Sequence, residues 1–204
     1  MIFRLLFKVY KGVVYRIFAP LYNRTVFHAH AVDVSSPWKI NGFIYIENHN
    51  SSISIGKHLS VNSSFFYNNI GRQHSTALIA EKGGKLHIGN NVGISATTIV
   101  CHKEVEIQDN VRIGGNCVIY DTDFHSLNPV ERTTFMEDTS LAKTAKVTIG
   151  KNVFIGAHTT ILKGTSIGEN SVIGAGSVVA GSKIPANEVW GGNPARFIKS
   201  IPSF

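Results

Sequence analysis

Aliphatic residues recur every six positions from Ile149 onward: Ile149, Ile155, Ile161, Ile167, Ile173 and Val179 keep the spacing without a slip. Gly150, Gly156, Gly168 and Gly174 each follow one of them. Small or β-branched residues sit four positions on, at Val153, Thr159, Thr165, Ser171 and Ser177. Upstream the pattern runs through Ile88, Ile94 and Val100, slips by one residue, and resumes at Ile107, Ile113 and Ile119, with Val92, Thr98, Val111 and Cys117 as companions. A weaker trace (Ile40, Ile46, Ile53, Ile55, Val61) reaches toward the N-terminus. A period of six is neither the 3.6 of a helix nor the 2 of a lone strand. It fits a solenoid of three-sided coils, a parallel β-helix. Each short strand turns one aliphatic into a narrow prism, and glycine or asparagine (Asn90, Asn91, Asn110, Asn152) takes the corners. Three six-residue sides close a coil, so Leu86–Tyr120 spans two coils and Val147–Gly181 two more, with one or two irregular coils over 31–80. Cys117 faces the tight interior and reads as structural.

Between the two blocks the repeat stops. Residues 121–146, DTDFHSLNPVERTTFMEDTSLAKTAK, are polar and aperiodic, and a long loop ejected from a rigid coil is where function is most often carried. The chain has 204 residues, 43% hydrophobic and 16% charged, which suits one domain and excludes a disordered or acidic-solvating chain. Two cysteines without CxxC spacing exclude a disulfide scaffold and point to a reduced, cytoplasmic location.

The net charge of +7 is concentrated at the start: Arg4, Lys8, Lys11, Arg16 and Arg24 all precede the first acid, Asp33. Residues 2–22 are otherwise apolar and aromatic. On a helix, Arg4, Lys8, Lys11 and Tyr15 form one narrow stripe, and Pro20 is expected to end that helix near Ala19. The cations exclude a spanning helix and a secretory signal. Two readings of residues 2–22 stand: a helix packed on its own domain or a sister subunit, or peripheral contact with an anionic membrane on the inner face of the cytoplasmic membrane. No zinc-finger spacing or recognition-helix pattern supports nucleic acid as a partner.

The run VTIGKNVFIGAHTTILKGTSIGENSVIGAGSVV (147–179), followed by IP and by GGNPARFIKSI (191–201), closely resembles the C-terminal half of hexapeptide-repeat acyltransferases, in the subgroup of maltose, galactoside and lipopolysaccharide or capsule O-acetyltransferases. DTDFHS (121–126) resembles that subgroup's catalytic segment, and the match covers about residues 86–201. The resemblance implies an all-β, left-handed parallel β-helix over 25–204, preceded by the basic amphipathic segment 1–24 and ending in a short tail. It also implies a homotrimer with active sites between subunits, and acetyl-CoA as donor. Carried across by residue, His125 falls on the catalytic histidine. Phe154 stands where a tryptophan is usual. Gly156 and Ala157, then Gly174 and Ala175, match turns lining the pantetheine arm, and Arg196 matches a basic residue near the coenzyme's phosphates. Lys183, in AGSKIP, lies one residue out of step with the family's usual lysine.

Transfer of acetyl from a thioester to an alcohol needs a base, and histidine titrates in the range that suits the task, contributing about 10² to 10⁴ in rate. CoA thiolate leaves readily, so no acyl-enzyme is required and neither Cys101 nor Cys117 is expected to carry one. Asp121 and Asp123 are candidates to orient the imidazole or touch the acceptor, and equally candidates to cap local turns. The remaining histidines (28, 30, 49, 58, 74, 87, 102 and 158) form no evident constellation, so surface or turn positions and no metal site are expected. The expected activity is O-acetylation of a sugar hydroxyl in surface-polysaccharide (capsule or lipopolysaccharide) assembly. N-acetylation of a nucleotide-linked amino sugar and a non-catalytic β-helix scaffold are the alternatives.

Overall fold

The computed structural model describes residues 2–64, 66–68, 70, 75–133 and 135–202. His74 lies outside the described residues. Among the described residues twenty-one strands build three sheets; the first twenty go to the three sheets in strict rotation, and the last, Ala195–Ser200, doubles back onto the strand before it. Face 1 holds Asp33–Val34, Ser52–Ile55, Lys85–Ile88, Glu104–Ile107, Val147–Ile149, Ser166–Ile167 and Lys183–Ile184. Face 2 holds Trp38–Gly42, Leu59–Ser63, Gly93–Ser95, Arg112–Ile113, Phe154–Ile155, Val172–Ile173, Glu188–Gly192 and Ala195–Ser200. Face 3 holds Tyr45–Asn48, Ala77–Ala80, Thr98–Cys101, Val118–Tyr120, Thr160–Ile161 and Val178–Val179. The chain passes from face 1 to 2 to 3 in each coil up to Val178–Val179, and the last coil ends on face 2 in an antiparallel hairpin. This is the left-handed parallel β-helix, with residues 31–80 forming two coils.

The period-six aliphatics stack inside the prism. Ile88, Ile107, Ile149, Ile167 and Ile184 lie in register on face 1, all buried. Burying each removes one isoleucine from water, about 1.5–3 kcal/mol apiece before conformational entropy is charged against it. The corner between faces 1 and 2 is an asparagine ladder. Asn91, Asn110, Asn152, Asn170 and Asn187 all have φ between 55° and 63°, and each amide donates to the next at 2.9–3.2 Å. At the corner between faces 2 and 3, a Cβ on Gly114 or Gly156 would sit 2.5 Å from the backbone nitrogen of Ala157 or Ala175, so close stacking of coils requires glycine there.

Four expectations are corrected. The inward residue of Thr98–Cys101 is Ile99, paired with Ile119, rather than Val100. Val100 faces outward beneath the ejected loop, because the spacing narrows to five residues from Ile94 to Ile99 and widens to eight from Ile99 to Ile107, where a single slip of one after Val100 was expected. The helix does not stop before Pro20. It runs as α1 (Ile2–Val13), a wide π turn (Val14–Phe18) and α2 (Ala19–Ala29). Proline starts α2, where its missing N–H breaks no bond that the π turn has not already displaced. The expected C-terminal tail is a strand, Ala195–Ser200, antiparallel to Glu188–Gly192. Finally, His102 occupies a turn, as one of the two expectations had it, but its side chain is not at the surface, being 6% exposed.

α2 is seated on the first coil through Ala19, Asn23 and Phe27, one face at four-residue spacing. The Asn23 side chain donates to the Gly42 carbonyl at 2.9 Å and accepts from the Ile44 N–H at 3.0 Å, and Phe27 packs edge-on against Trp38.

Candidate active site

The ejected loop leaves and returns at the corner between faces 3 and 1. Its neck is a short antiparallel ladder. Thr122 bridges Thr144, Asp123 N–H donates to Lys143, and Ala145 N–H donates to Asp121 at 2.9 Å. Asp121 is fully buried, and its carboxylate accepts the N–H groups of His102, Lys103 and Glu104 at 2.7–2.8 Å. Those three donors belong to the preceding coil's corner between faces 3 and 1, where Thr98–Cys101 turns into Glu104–Ile107. Asp123 pairs with Lys163 of the following coil at 3.2 Å. Both aspartates therefore pin the loop to the solenoid: of the two roles open to them Asp121 takes the capping of a turn, and neither orients the imidazole.

Phe124 has φ +64° and packs on Tyr120 and His102, with ring centroids at 5.0 and 5.9 Å. That left-handed residue turns the chain so that His125, next in line, stands out with 65% of its side chain exposed. The carboxylate that holds it is Asp138, on the short helix α3 (Phe135–Ser140) at the far end of the loop. Asp138 Oδ2 lies 2.6 Å from His125 Nδ1, and Oδ1 accepts the Ser126 N–H at 2.8 Å. The hydrogen bond from His125, with that of Ser126, holds the Asp138 carboxyl below its ordinary range. An ionised carboxylate can only accept, so Nδ1 of the neutral ring carries the proton and Nε2 keeps its lone pair. The loop is tied further by Arg132, which donates to the Ser126 carbonyl at 2.7 Å, and by Glu131, which takes bonds from Ser126 Oγ and Asn128.

His125 lines a cleft of about 380 Å³ shared with Glu47, Glu81, Lys82, His102 and Phe124. Ile79 and the outward Val100 lie on its floor. His102 Nε2 is 3.3 Å from Glu81. Burial, assisted by Lys82, lowers the His102 pKa against the opposing pull of Asp121 and Glu81, which favours the neutral ring. Lys82 donates to the Thr139 carbonyl and so holds α3 over the cleft. Glu47, His49 and Glu81 bring potential metal-ligand atoms within 4.8 Å of one another, the one such cluster among the described residues, on a partly exposed surface. Both thiols are inert: burial, with Asp121 adding to it, pushes Cys101 up to about 12, and burial pushes Cys117 up to about 11.

The donor-side candidates occupy two other places. Phe154 stands half exposed on face 2, and Gly156–Ala157 and Gly174–Ala175 form the corner between faces 2 and 3. Lys183, on face 1, shares the corner of His125 but lies two coils further on. Arg196 is exposed on the final hairpin, its guanidinium on the Ala195 carbonyl at 3.0 Å. The cleft at His125 contains none of these side chains. Asp138, Glu47, Glu81 and His102 were missed by the sequence reading. The only signal for Asp138 was its place in the aperiodic segment among several other acids.

The model of the hexapeptide repeat of succinyl-transferase matches residues 146–180. A comparison with curated protein sequences finds no match. Among solved structures, the chain is similar to the N-acyltransferase AntD from Bacillus cereus, in a complex with dTDP and coenzyme A (25% identity, 83% of this chain and 84% of that one, TM-score 0.56). It is also similar to a galactoside acetyltransferase in complex with coenzyme A (30% identity, 76% and 66%, TM-score 0.51). A maltose O-acetyltransferase from Clostridium difficile 630, at 23% identity over 96% and 88% with TM-score 0.54, shares the fold. The chain belongs to the hexapeptide-repeat acyltransferases.

Proposed function

We propose that this protein is an acetyl-CoA-dependent O-acetyltransferase that modifies a sugar hydroxyl, with His125 as general base. The observation that carries the reading is the 2.6 Å contact between His125 Nδ1 and Asp138, which leaves Nε2 as the acceptor at a cleft beside the solenoid. In that reading Nε2 takes the hydroxyl proton as the alcohol oxygen attacks the thioester carbonyl. The tetrahedral adduct collapses with loss of CoA thiolate, and the imidazolium returns its proton to the sulfur. Asp138 stabilises the imidazolium through the same hydrogen bond.

The separation of the two half-sites supports a homotrimer. His125 and Lys183 lie at one corner of the prism, while Gly156, Ala157, Gly174 and Ala175 lie at the next. Setting that second corner against a neighbouring subunit's loop brings a pantetheine arm to the base, with Phe154 and Arg196 flanking it. We place the reaction in the cytoplasm, where CoA thioesters are made, and the acceptor in surface-polysaccharide assembly.

One observation favours a second reading. Glu47 and Glu81 supply two carboxylates to the cleft, suited to an ammonium group, and AntD is an N-acyltransferase. CoA release from acetyl-CoA over a panel of sugars and nucleotide-linked amino sugars, followed by treatment of the product with hydroxylamine, separates the two. An ester product is cleaved and confirms O-acetylation, whereas a resistant amide overturns it.

A further inference from the structure

The N-terminal helix touches its own body with one face and leaves the other uncovered. Phe7, Lys11 and Tyr15 lie on the 66–67 segment. Phe7 and Tyr15 meet the Phe66 ring with centroids 5.6 and 5.7 Å apart, Tyr15 also meets Tyr67 and Phe43, and Lys11 Nζ stands 4.8 Å over the Phe66 ring. Lys11 and Tyr15 of the polar stripe thus face inward, while Arg4 and Lys8 at its outer edge stay exposed. At roughly 100° per residue, Leu5, Val9, Val13, Leu6 and Tyr10 share an arc of about 140° on the opposite side. Leu5, Leu6, Val9 and Tyr10 are 56–60% exposed, and beyond the π turn Ile17 is 54% exposed. No described helix is long and apolar enough to cross a membrane.

Charge decides what covers this arc. Five cations and no acid lie between residues 4 and 24. Lys8, Lys11 and Arg16 converge with Gly12 and Tyr67 on a notch of about 400 Å³ beside the apolar arc, large enough for a phosphate headgroup. A second copy of the same helix would bring five more cations against these, whereas an anionic bilayer offers acyl chains to the arc and phosphates to its flank. We propose that residues 2–22 form an in-plane foot, which sits the β-helix on an anionic lipid surface with Leu5, Leu6, Val9, Tyr10 and Ile17 inserted and Lys8 and Arg16 on lipid phosphates. This assignment is independent of the reaction the protein catalyses.

Co-sedimentation of the full chain with vesicles tests it. Each cation near an anionic surface contributes about fivefold to partitioning. The protein is expected to bind phosphatidylglycerol-containing vesicles, to bind pure phosphatidylcholine at least tenfold more weakly, and to be released by high salt. Leu6→Gln with Val9→Gln is expected to weaken binding by about tenfold or more, while solution mass by light scattering and the circular dichroism spectrum stay unchanged. Lys8→Ala with Arg16→Ala, which leaves the apolar arc intact, is expected to cost about 10–30-fold on anionic vesicles only. Absence of binding by the unaltered protein overturns the proposal, as does either double variant binding like it. A fall in solution mass in the Leu6/Val9 variant overturns it too, and assigns the arc to a second copy.

Discussion

Asp138→Asn isolates the contact on which the base depends. The native carboxylate accepts two bonds at once, from His125 Nδ1–H at 2.6 Å and from the Ser126 N–H at 2.8 Å. Asparagine has one oxygen and one NH2 for the same two donors, so one of them meets another donor. If the oxygen stays with Ser126, the amide NH2 faces Nδ1, the ring takes the opposite tautomer and Nε2 carries a proton. The base is then lost until the imidazole rotates or re-tautomerises. General-base assistance is worth about 10² to 10⁴, which bounds the loss. With 65% of the His125 side chain exposed, water shares the tautomer's stabilisation, so the expected fall in kcat is about 10- to 100-fold. KM for acetyl-CoA is expected to be unchanged, because Asp138 touches neither donor-side corner. Steady-state CoA release with an accepted sugar, with a thermal melt as control for folding, reads both effects. Activity within twofold of the unaltered protein would refute the assignment.

Other perturbations read the scaffold and the loop. Ile149→Ala empties a fully buried site in the stacked column and is expected to cost about 2–5 kcal/mol in urea unfolding, with little change in KM of what remains folded. Asp121→Ala strips three part-buried backbone N–H groups of one buried acceptor, an expected loss of about 2–3 kcal/mol, and proteolysis within 121–146 should rise with it. Asp138's depressed pKa gives its contact a pH sign. The contribution is present above the ordinary carboxylate range and is lost as pH falls through the folded-state value, so loop protection from protease is expected to drop on the acid side. Cys101 and Cys117 are expected to resist a thiol reagent at pH 8 in the native protein and to react only on unfolding, as their raised pKa values and burial dictate.

The solenoid was legible because its signal is local and repeated: one aliphatic per side fills the prism, and the corner residues are set by backbone conformation. Where that regularity loosens, sequence reading failed in particular ways. Ile99 and Val100 are adjacent aliphatics, and only the pairing with Ile119 decides which of them faces in. Pro20 carries a stop signal that a π turn absorbs, and the π turn leaves no mark in composition. Asp138 could not be found because its partner is 13 residues away across an aperiodic loop, where closure is set by the Thr122–Thr144 neck and by Lys82 from another coil. Glu47, Glu81 and His102 meet because face 3 stacks coils whose sequence separations are irregular. The Asp121 and Asp123 side chains had the right neighbourhood and a different task, holding the loop in place.

The most direct test of the central claim is to compare acetyl-CoA binding and turnover in His125→Ala. Calorimetry is expected to show donor affinity within about twofold of the unaltered protein, while CoA release with an accepted sugar falls by about 10² to 10⁴. Equal turnover in the two proteins would contradict the base assignment, and an unaltered protein that fails to bind acetyl-CoA would contradict the acyl-transfer account itself.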